Sequence, residues 1–257
     1  SPGQQISQTD PDARAMTTAG RGKAIVGYNV QTAVDTKHHL IVAHEVTNVG
    51  SDRSQLANMA LQAKEAIDYD ELKVVADRGY FNGVEILACE EAGVTAYVPK
   101  TQTSNNQARG LFGKRDFIYH PDDNEYECPA GERLIYRFTG QDKGKSVHRY
   151  WSSACPSCRL KEKCTTADYR RVKRWEHEAV LEAMEDRVDR KPDCMRIRGS
   201  TVEHPFGTIK SWLGPTHFLM RRLENVRTEM SLHVLSYNLK RMLQIFGVGP
   251  LMAAIRG

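Results

Sequence analysis

Between residues 27 and 46 the chain reads GYNVQTAVD, then TKHH, then LIVAHEV. Two runs rich in β-branched residues flank a polar turn, which predicts a hairpin. Over 54–67, Leu56, Met59, Ala60, Ala63 and Ile67 recur at three- and four-residue intervals, with Ser51-Asp52 upstream as a capping candidate. That spacing predicts an amphipathic helix. LKVVA at 72–76 is a short apolar strand running into Asp77-Arg78-Gly79-Tyr80. Asn82 can then cap a helix reaching Gly93 with Val84, Leu87 and Ala88 inward, before a strand at 95–98 stops at Pro99. The order strand, strand, helix, strand, helix, strand is that of a mixed α/β sheet.

From residue 100 to about 168 the period fades among Gly, Pro and polar residues, so the segment reads as an insertion. A helix returns over 175–187, Lys191-Pro192 breaks it, and a second helix is expected over 200–213. An apolar stripe from Val226 to Leu243 predicts a last long helix over 225–246. Three segments follow: 1–100 as the first part of an α/β core, 101–174 as an insertion, and 175–257 as the helical second part.

The 257 residues carry 36 Lys+Arg against 32 Asp+Glu and are 40% hydrophobic. This excludes a collagen-like or disordered chain. Apolar runs of about four residues fall far short of the ~18 to 20 a membrane span needs. With no signal or transit segment evident, a cytoplasmic location is expected. Ser1-Pro-Gly-Gln-Gln leads to the expectation that the numbering begins inside a longer polypeptide.

Charge is uneven. Residues 1–100 hold 9 basic and 13 acidic side chains, whereas residues 133–174 hold 12 basic and 3 acidic, net +9. Tyr136, Phe138, Tyr150, Trp151 and Tyr169 interleave with those cations. The mixture can pair phosphates and stack on bases, which points to nucleic acid beyond a merely solvated basic face.

Cys128, Cys155, Cys158 and Cys164 form the pattern C-x26-C-x2-C-x5-C. One tight turn offers two thiolates and a more distant pair closes a tetrahedral site, so structural zinc is expected, ahead of unbound thiols or redox chemistry. Cys89 and Cys194 read as small buried apolar residues.

Three carboxylate settings stand out. Asp77 ends a buried strand, where a charge is costly unless paired or bound to a cation; a cap on the next helix is the alternative. Asp10 and Asp12 bracket Pro11 in a turn. Glu203 precedes Lys210 by seven residues, so both lie on one helix face, as a surface pair would too.

TDPDARAM, GYNVQTAVD, VVADRGY, ECPAGE, CPSCRLKEKC, TVEHPFGTIK and LENVRTEMSLHVLSYNLKRM, in this order over about residues 9–246, resemble the catalytic region of a bacterial insertion-sequence transposase of the DDE type. The resemblance implies a ribonuclease H-like fold: a mixed five-stranded sheet flanked by helices, here with a four-cysteine zinc-binding insertion and C-terminal helices. It places the three catalytic, metal-holding carboxylates on Asp10, Asp77 and Glu203, with Asp12 and Asp35 as alternatives for the first. Lys210 matches a phosphate-contacting basic residue. The family's Tyr and Arg ahead of the Glu fall on Arg196 and Gly199, so Arg196 or Arg198 would take the DNA-contacting place. Three carboxylates suit two Mg²⁺ or Mn²⁺ ions, which can activate an attacking oxygen and stabilise a leaving one without a covalent intermediate. The implied activity is DNA cleavage at transposon ends and strand transfer, with DNA as partner and a dimer on DNA. A DNA-binding remnant without catalysis and a nuclease that cleaves without joining are the competing readings.

Overall fold

The structure, a computed structural model, describes residues 7–17, 24–101, 105–212 and 217–256. It divides into two compact units, one of residues 1–100 with 183–257 and the other of 101–182. The second unit keeps β11 (Val172–Trp175) and the first turn of α3 (Glu178–Asp189). β11 pairs with the strand over Lys145–Trp151, and Glu178 accepts the Trp175 N–H at 3.1 Å.

In the first unit β1 (Arg14–Thr17) and β2 (Ala24–Gly27) pair antiparallel, a hairpin the sequence did not announce. β3 (Asn29–Val34) and β4 (Ile41–Thr47) form the predicted hairpin, with a bulge between Ala33 and Val34. Both of its faces are covered. Ile41 and Val46 pack with Val226, Met230, Val234 and Tyr237 of α5 (Leu223–Phe246), while Ala43 packs with Met59 and Ala63 of α1 (Leu56–Ile67). Asn238 of α5 fastens the hairpin by bonding both the N–H and the C=O of Ile41, at 2.9 and 2.8 Å.

β5 (Lys73–Val75) and β6 (Thr95–Tyr97) are parallel, joined through α2 (Gly83–Glu91), which Asn82 caps through the Val84 N–H. Ile86, Val94, Ala96 and Val98 are fully buried here, as is Met184 of α3, whose sulfur accepts the Val98 N–H at 3.4 Å. The expected break at Lys191-Pro192 separates α3 from α4 (Cys194–Trp212). α4 starts six residues earlier than predicted and runs through Gly199 and Pro205; the predicted end at 213 lies outside the described residues. α6 (Val248–Arg256) was not predicted.

The single five-stranded mixed sheet is a correction. Among the described residues β3–β4 and β5–β6 are separate two-stranded sheets. A cavity of about 240 Å³ is lined by Thr32, Ala33, Val74 and Val75 together with residues of α1 and α4.

The second unit holds a five-stranded antiparallel sheet in the order β11-β10-β9-β8-β7, from β7 (Ile118–His120), β8 (Glu125–Glu127), β9 (Arg133–Asp142), β10 (Lys145–Trp151) and β11. Tyr126, Leu134, Tyr150, Val172 and Phe117 form its core. Arg174 is buried across it, bonding Glu182 with both nitrogens and the Tyr126 hydroxyl at 3.2 Å, its guanidinium 3.7 Å from the Tyr119 ring centre. No helix among the described residues is long and apolar enough to cross a membrane.

Leu134 is almost fully enclosed in the second unit's core. Leu134→Ala is expected to destabilise that unit by about 2–5 kcal/mol, read by chemical denaturation. A cost below about 1 kcal/mol would mean that the sheet's inner face is not packed as described.

Candidate functional site

Asp77, Asp52 and Arg198 of the first unit meet where β5 ends. Asp77 follows the strand in extended conformation and opens a single 3-10 turn over Arg78–Tyr80. Its Oδ1 accepts the Gly79 N–H at 2.7 Å, so the capping reading of Asp77 holds for one oxygen. Oδ2 accepts Arg198 Nη2 from α4 at 2.8 Å, with the carboxylate side chain 42% exposed.

Beside it stands Asp52, which the sequence had offered only as a cap. A Cβ added at Gly79 would lie 2.9 Å from Asp77 Oδ1 and 3.6 Å from Asp52 Oδ2, so the two carboxylates flank one glycine that has no room for a side chain. Asp52 Oδ1 accepts Asn29 Nδ2 at 2.7 Å and Gln31 Nε2 at 2.8 Å. Gln31 is buried, and its carbonyl accepts the Tyr80 hydroxyl. Burial holds the Tyr80 phenol far above its ordinary range, with the charges of Asp52 and Asp77 acting in the same direction. The signal that could have found Asp52 is the triplet Asn29, Gln31 and Asp52 read together. It needs the hairpin's register before it means anything.

Asp10 is held elsewhere. Its Oδ2 accepts the Tyr28 hydroxyl at 2.8 Å and Oδ1 accepts the N–H groups of Asp12 and Arg222, both at 3.2 Å. Burial raises its pKa, but these hydrogen bonds outweigh that and leave it below the ordinary carboxylate value. Asp12 accepts the Leu223 N–H at 3.0 Å. The pair therefore caps the start of α5, where backbone N–H groups lack helical partners. Asp35 accepts the His38 N–H in the turn between β3 and β4.

Glu203 is exposed on α4, and Lys210 lies on the same helix. Lys210 and Asp10 line one cavity of about 610 Å³ with Phe206, Phe218 and Arg221. Arg196 pairs with Asp193 on the surface, at 3.2 Å. His204 is exposed on α4, where its Nδ1 meets the Tyr237 hydroxyl at 3.0 Å and its ring stacks on His39.

The structure thus joins Asp77 to Arg198 and sets Asp52 beside it. No hydrogen bond or ion pair links Asp10, Asp77 and Glu203 to one another. Among the described residues no three His, Cys, Asp or Glu side chains are grouped so as to hold a metal ion.

In the second unit Cys128, Cys155, Cys158 and Cys164 all line one small cavity of about 30 Å³, walled by Phe112, Phe117, Leu134 and Leu160. All four are free thiols, and Cys158 Sγ accepts the Leu160 N–H at 3.4 Å. Burial raises the Cys164 thiol, with Arg170 opposing. Cys89 is buried and pushed up to about 12 by burial, as an inert core residue is.

A family model described as the transposase DDE domain matches residues 3–239. No curated protein and no solved structure matches the chain.

Asp10 also carries a pH prediction. Because its folded pKa is depressed, its contribution to stability is present above the unfolded value, about 4, and is lost as the pH falls through the folded value. Tyr28→Phe is expected to raise the Asp10 pKa and to shrink the acid-side part of that contribution. A carboxyl NMR titration checks this, and an unchanged Asp10 titration in Tyr28→Phe would refute the assignment.

Proposed function

The chain belongs to the transposase DDE domain family, and from that membership we propose that it is a catalytic domain that cuts DNA at transposon ends and joins the freed 3′ end to a target. Transposition is the family's business, and its members act on DNA as nucleases and transferases that generally use divalent ions such as Mg²⁺. The observation that supports the finer reading is the Asp77–Arg198 pair, which ties the VVADRGY segment to α4 three residues ahead of TVEHPFGTIK.

The carboxylates of Asp77 and Asp52 beside Gly79 are oxygen donors of the kind a hard cation takes, and Asp77 would have to exchange Arg198 for the ion. Asp77 and Glu203 would hold the ions. Asp10 would have to release Tyr28 and the Arg222 N–H to join them. Bound ions supply activation of the attacking oxygen and neutralisation of charge on the phosphorus and the leaving oxygen. The chain's own residues do the rest: Arg198 orients the Asp77 carboxylate, Gly79 N–H fixes its second oxygen, and Lys210 and Arg196 remain exposed for phosphate.

What supports a ribonuclease H-like core is the parallel β5–α2–β6 unit with Asp77 just beyond the end of β5. Two copies on paired DNA ends would complete the reaction.

The test is Mg²⁺- or Mn²⁺-dependent nicking of an end-containing duplex, followed by joining of a pre-cut 3′ end to plasmid. Asp77→Ala and Glu203→Ala are expected to reduce both by about a thousandfold or more, as loss of charge stabilisation at the reacting phosphate does. Binding without metal-dependent nicking in the parent chain would leave only the DNA-binding remnant; nicking without joining would leave the nuclease.

For the second unit we propose a structural zinc on the four cysteines, which would fill all four positions and leave none for a catalytic water. One zinc per chain by elemental analysis is expected, falling with Cys155→Ser/Cys158→Ser together with thermal stability of that unit. Zinc-free protein of unchanged stability would rule the site out.

A further inference from the structure

The cations of residues 133–174 acquire a definite arrangement in the sheet. β9 and β10 pair with Ile135 opposite Trp151 and Phe138 opposite Arg149. Directly opposed residues of an antiparallel pair project from the same face. Tyr136, Tyr150, Leu134 and Val172 belong to the other face, where Leu134, Tyr150 and Val172 are core. The face of Ile135, Phe138, Arg149 and Trp151 lies on the opposite side from that core; Val147 and Trp175, further along the same face, are buried, whereas its Ile135–Phe138 end is open to solvent.

A register shift between Arg149 and Tyr150 gives β9 one additional residue, Arg137. Its guanidinium lies 5.2 Å from the Trp151 ring centre, and Arg171 approaches the same ring at 5.5 Å. Arg149 lies 5.4 Å from the Phe138 ring centre, and the Phe138 and Trp151 rings meet edge to face at 6.1 Å. Ile135 is 39% and Phe138 48% exposed, and Arg137 and Arg171 are exposed as well.

None of these three arginines is hydrogen-bonded to a carboxylate among the described residues. Arg137 Nε donates to the Trp151 carbonyl, and Arg149 Nε is buried without any hydrogen-bond partner. The one acid on β9, β10 and β11 is Asp142, and Lys173 holds it at 2.6 Å. A solvated basic face would intersperse carboxylates and send its cations into water. Here the cations lie against aromatic rings, one of which is half-exposed, and their remaining N–H donors bond to no acid.

We propose that this face of the sheet is a stacking platform for single-stranded DNA, with bases laid on Phe138 and its neighbours and phosphates met by Arg137, Arg149 and Arg171. An intact duplex keeps the faces of its bases inside its own stack, so exposed rings gain nothing from it; an unpaired strand offers both π-faces and phosphates to such a surface. The platform rests on the proposed action on DNA but needs no cleavage to be observed.

The probe is a fluorescein-labelled oligothymidine of about 15 nucleotides, compared by anisotropy with a duplex of the same length across a salt series, using the whole chain. Phe138→Ala is expected to weaken oligothymidine binding by about tenfold or more and to leave duplex binding within about twofold, while Phe138→Tyr restores it. Arg171→Gln is expected to lower the salt slope by about 0.7, one phosphate contact to a single strand. Circular dichroism of each variant separates loss of the ring from loss of the fold. Tighter binding of the duplex, or Phe138→Ala affecting both probes alike or neither, would overturn the platform. Asp77→Ala should bind oligothymidine as the parent does. Oligothymidine binding without nicking in the parent would sink the cleavage reading alone, and nicking with a neutral Phe138→Ala would sink the platform alone.

Discussion

A buried amide must have its polar atoms satisfied, and Gln31 meets that demand with partners from three separate stretches of chain. Its Nε2 donates to Asn29 on the same strand and to Asp52 ahead of α1, and its Oε1 accepts from Tyr80 beyond β5. Leaving one such group unpaired costs about 1–3 kcal/mol, so the three stretches are difficult to move one at a time. The turn that carries Asp77 and Gly79 is thus fixed to the hairpin before any ligand arrives. Arg198 then adds a fourth stretch, α4, through the Asp77 carboxylate.

The aspartates of the first unit divide by what satisfies them. Asp10 takes three donors and Asp12 takes the Leu223 N–H, and together they hold the entrance to α5. Arg222 sits there with φ near 70°, a conformation that costs a non-glycine residue about 1–3 kcal/mol. Acceptance of its N–H by Asp10, and of the Leu219 and Met220 N–H groups by Glu229, offsets part of that cost. Asp77 differs. It has one backbone donor, one cation and an open side, the condition in which a carboxylate can exchange a protein partner for an ion.

What the sequence made legible follows the same physics. The β3–β4 hairpin, α1 and the β5–β6 pair were readable from their apolar runs; α2 was placed by its Asn82 cap, but its inward face is Gly83, Ile86 and Cys89 and not Val84, Leu87 and Ala88, Val84 being exposed. The sheet of the second unit was not. β9 reads RLIYRFTGQD, where aromatic and charged residues alternate and only Leu134 is buried, so no two-residue apolar period is visible. α4 was cut short because Gly199 and Pro205 weaken a helix locally, while Ile209 and the Asp77–Arg198 pair anchor it in place. The place of Asp77 after a strand and that of Glu203 and Lys210 on one helix were legible, while the roles expected of them rest on the resemblance. Asp52 was hidden, because a Ser-Asp pair before a helix signals a cap whatever else it does. The setting of Asp10 was hidden as well, because the Arg222 and Leu223 N–H groups that it and Asp12 accept come from the far end of the chain.

The four cysteines bear on the platform as well as on the core of the second unit. Cys128 directly follows β8, Cys155 and Cys158 lie between β10 and β11, and Cys164 comes shortly before β11. An ion shared among them would tie the β8–β9 connection to the β10–β11 connection at one end of the sheet. Closing those loops removes chain entropy that the small core around Leu134 and Tyr150 would otherwise have to offset alone. The end so closed is the one where Trp151 leaves β10 and Ile135 enters β9, the residues opposite each other on the exposed face. Rings that are to stack on a base lose less freedom on binding when the backbone beneath them is already held. A zinc that never meets a substrate would therefore affect affinity for the single strand through the strands it fastens.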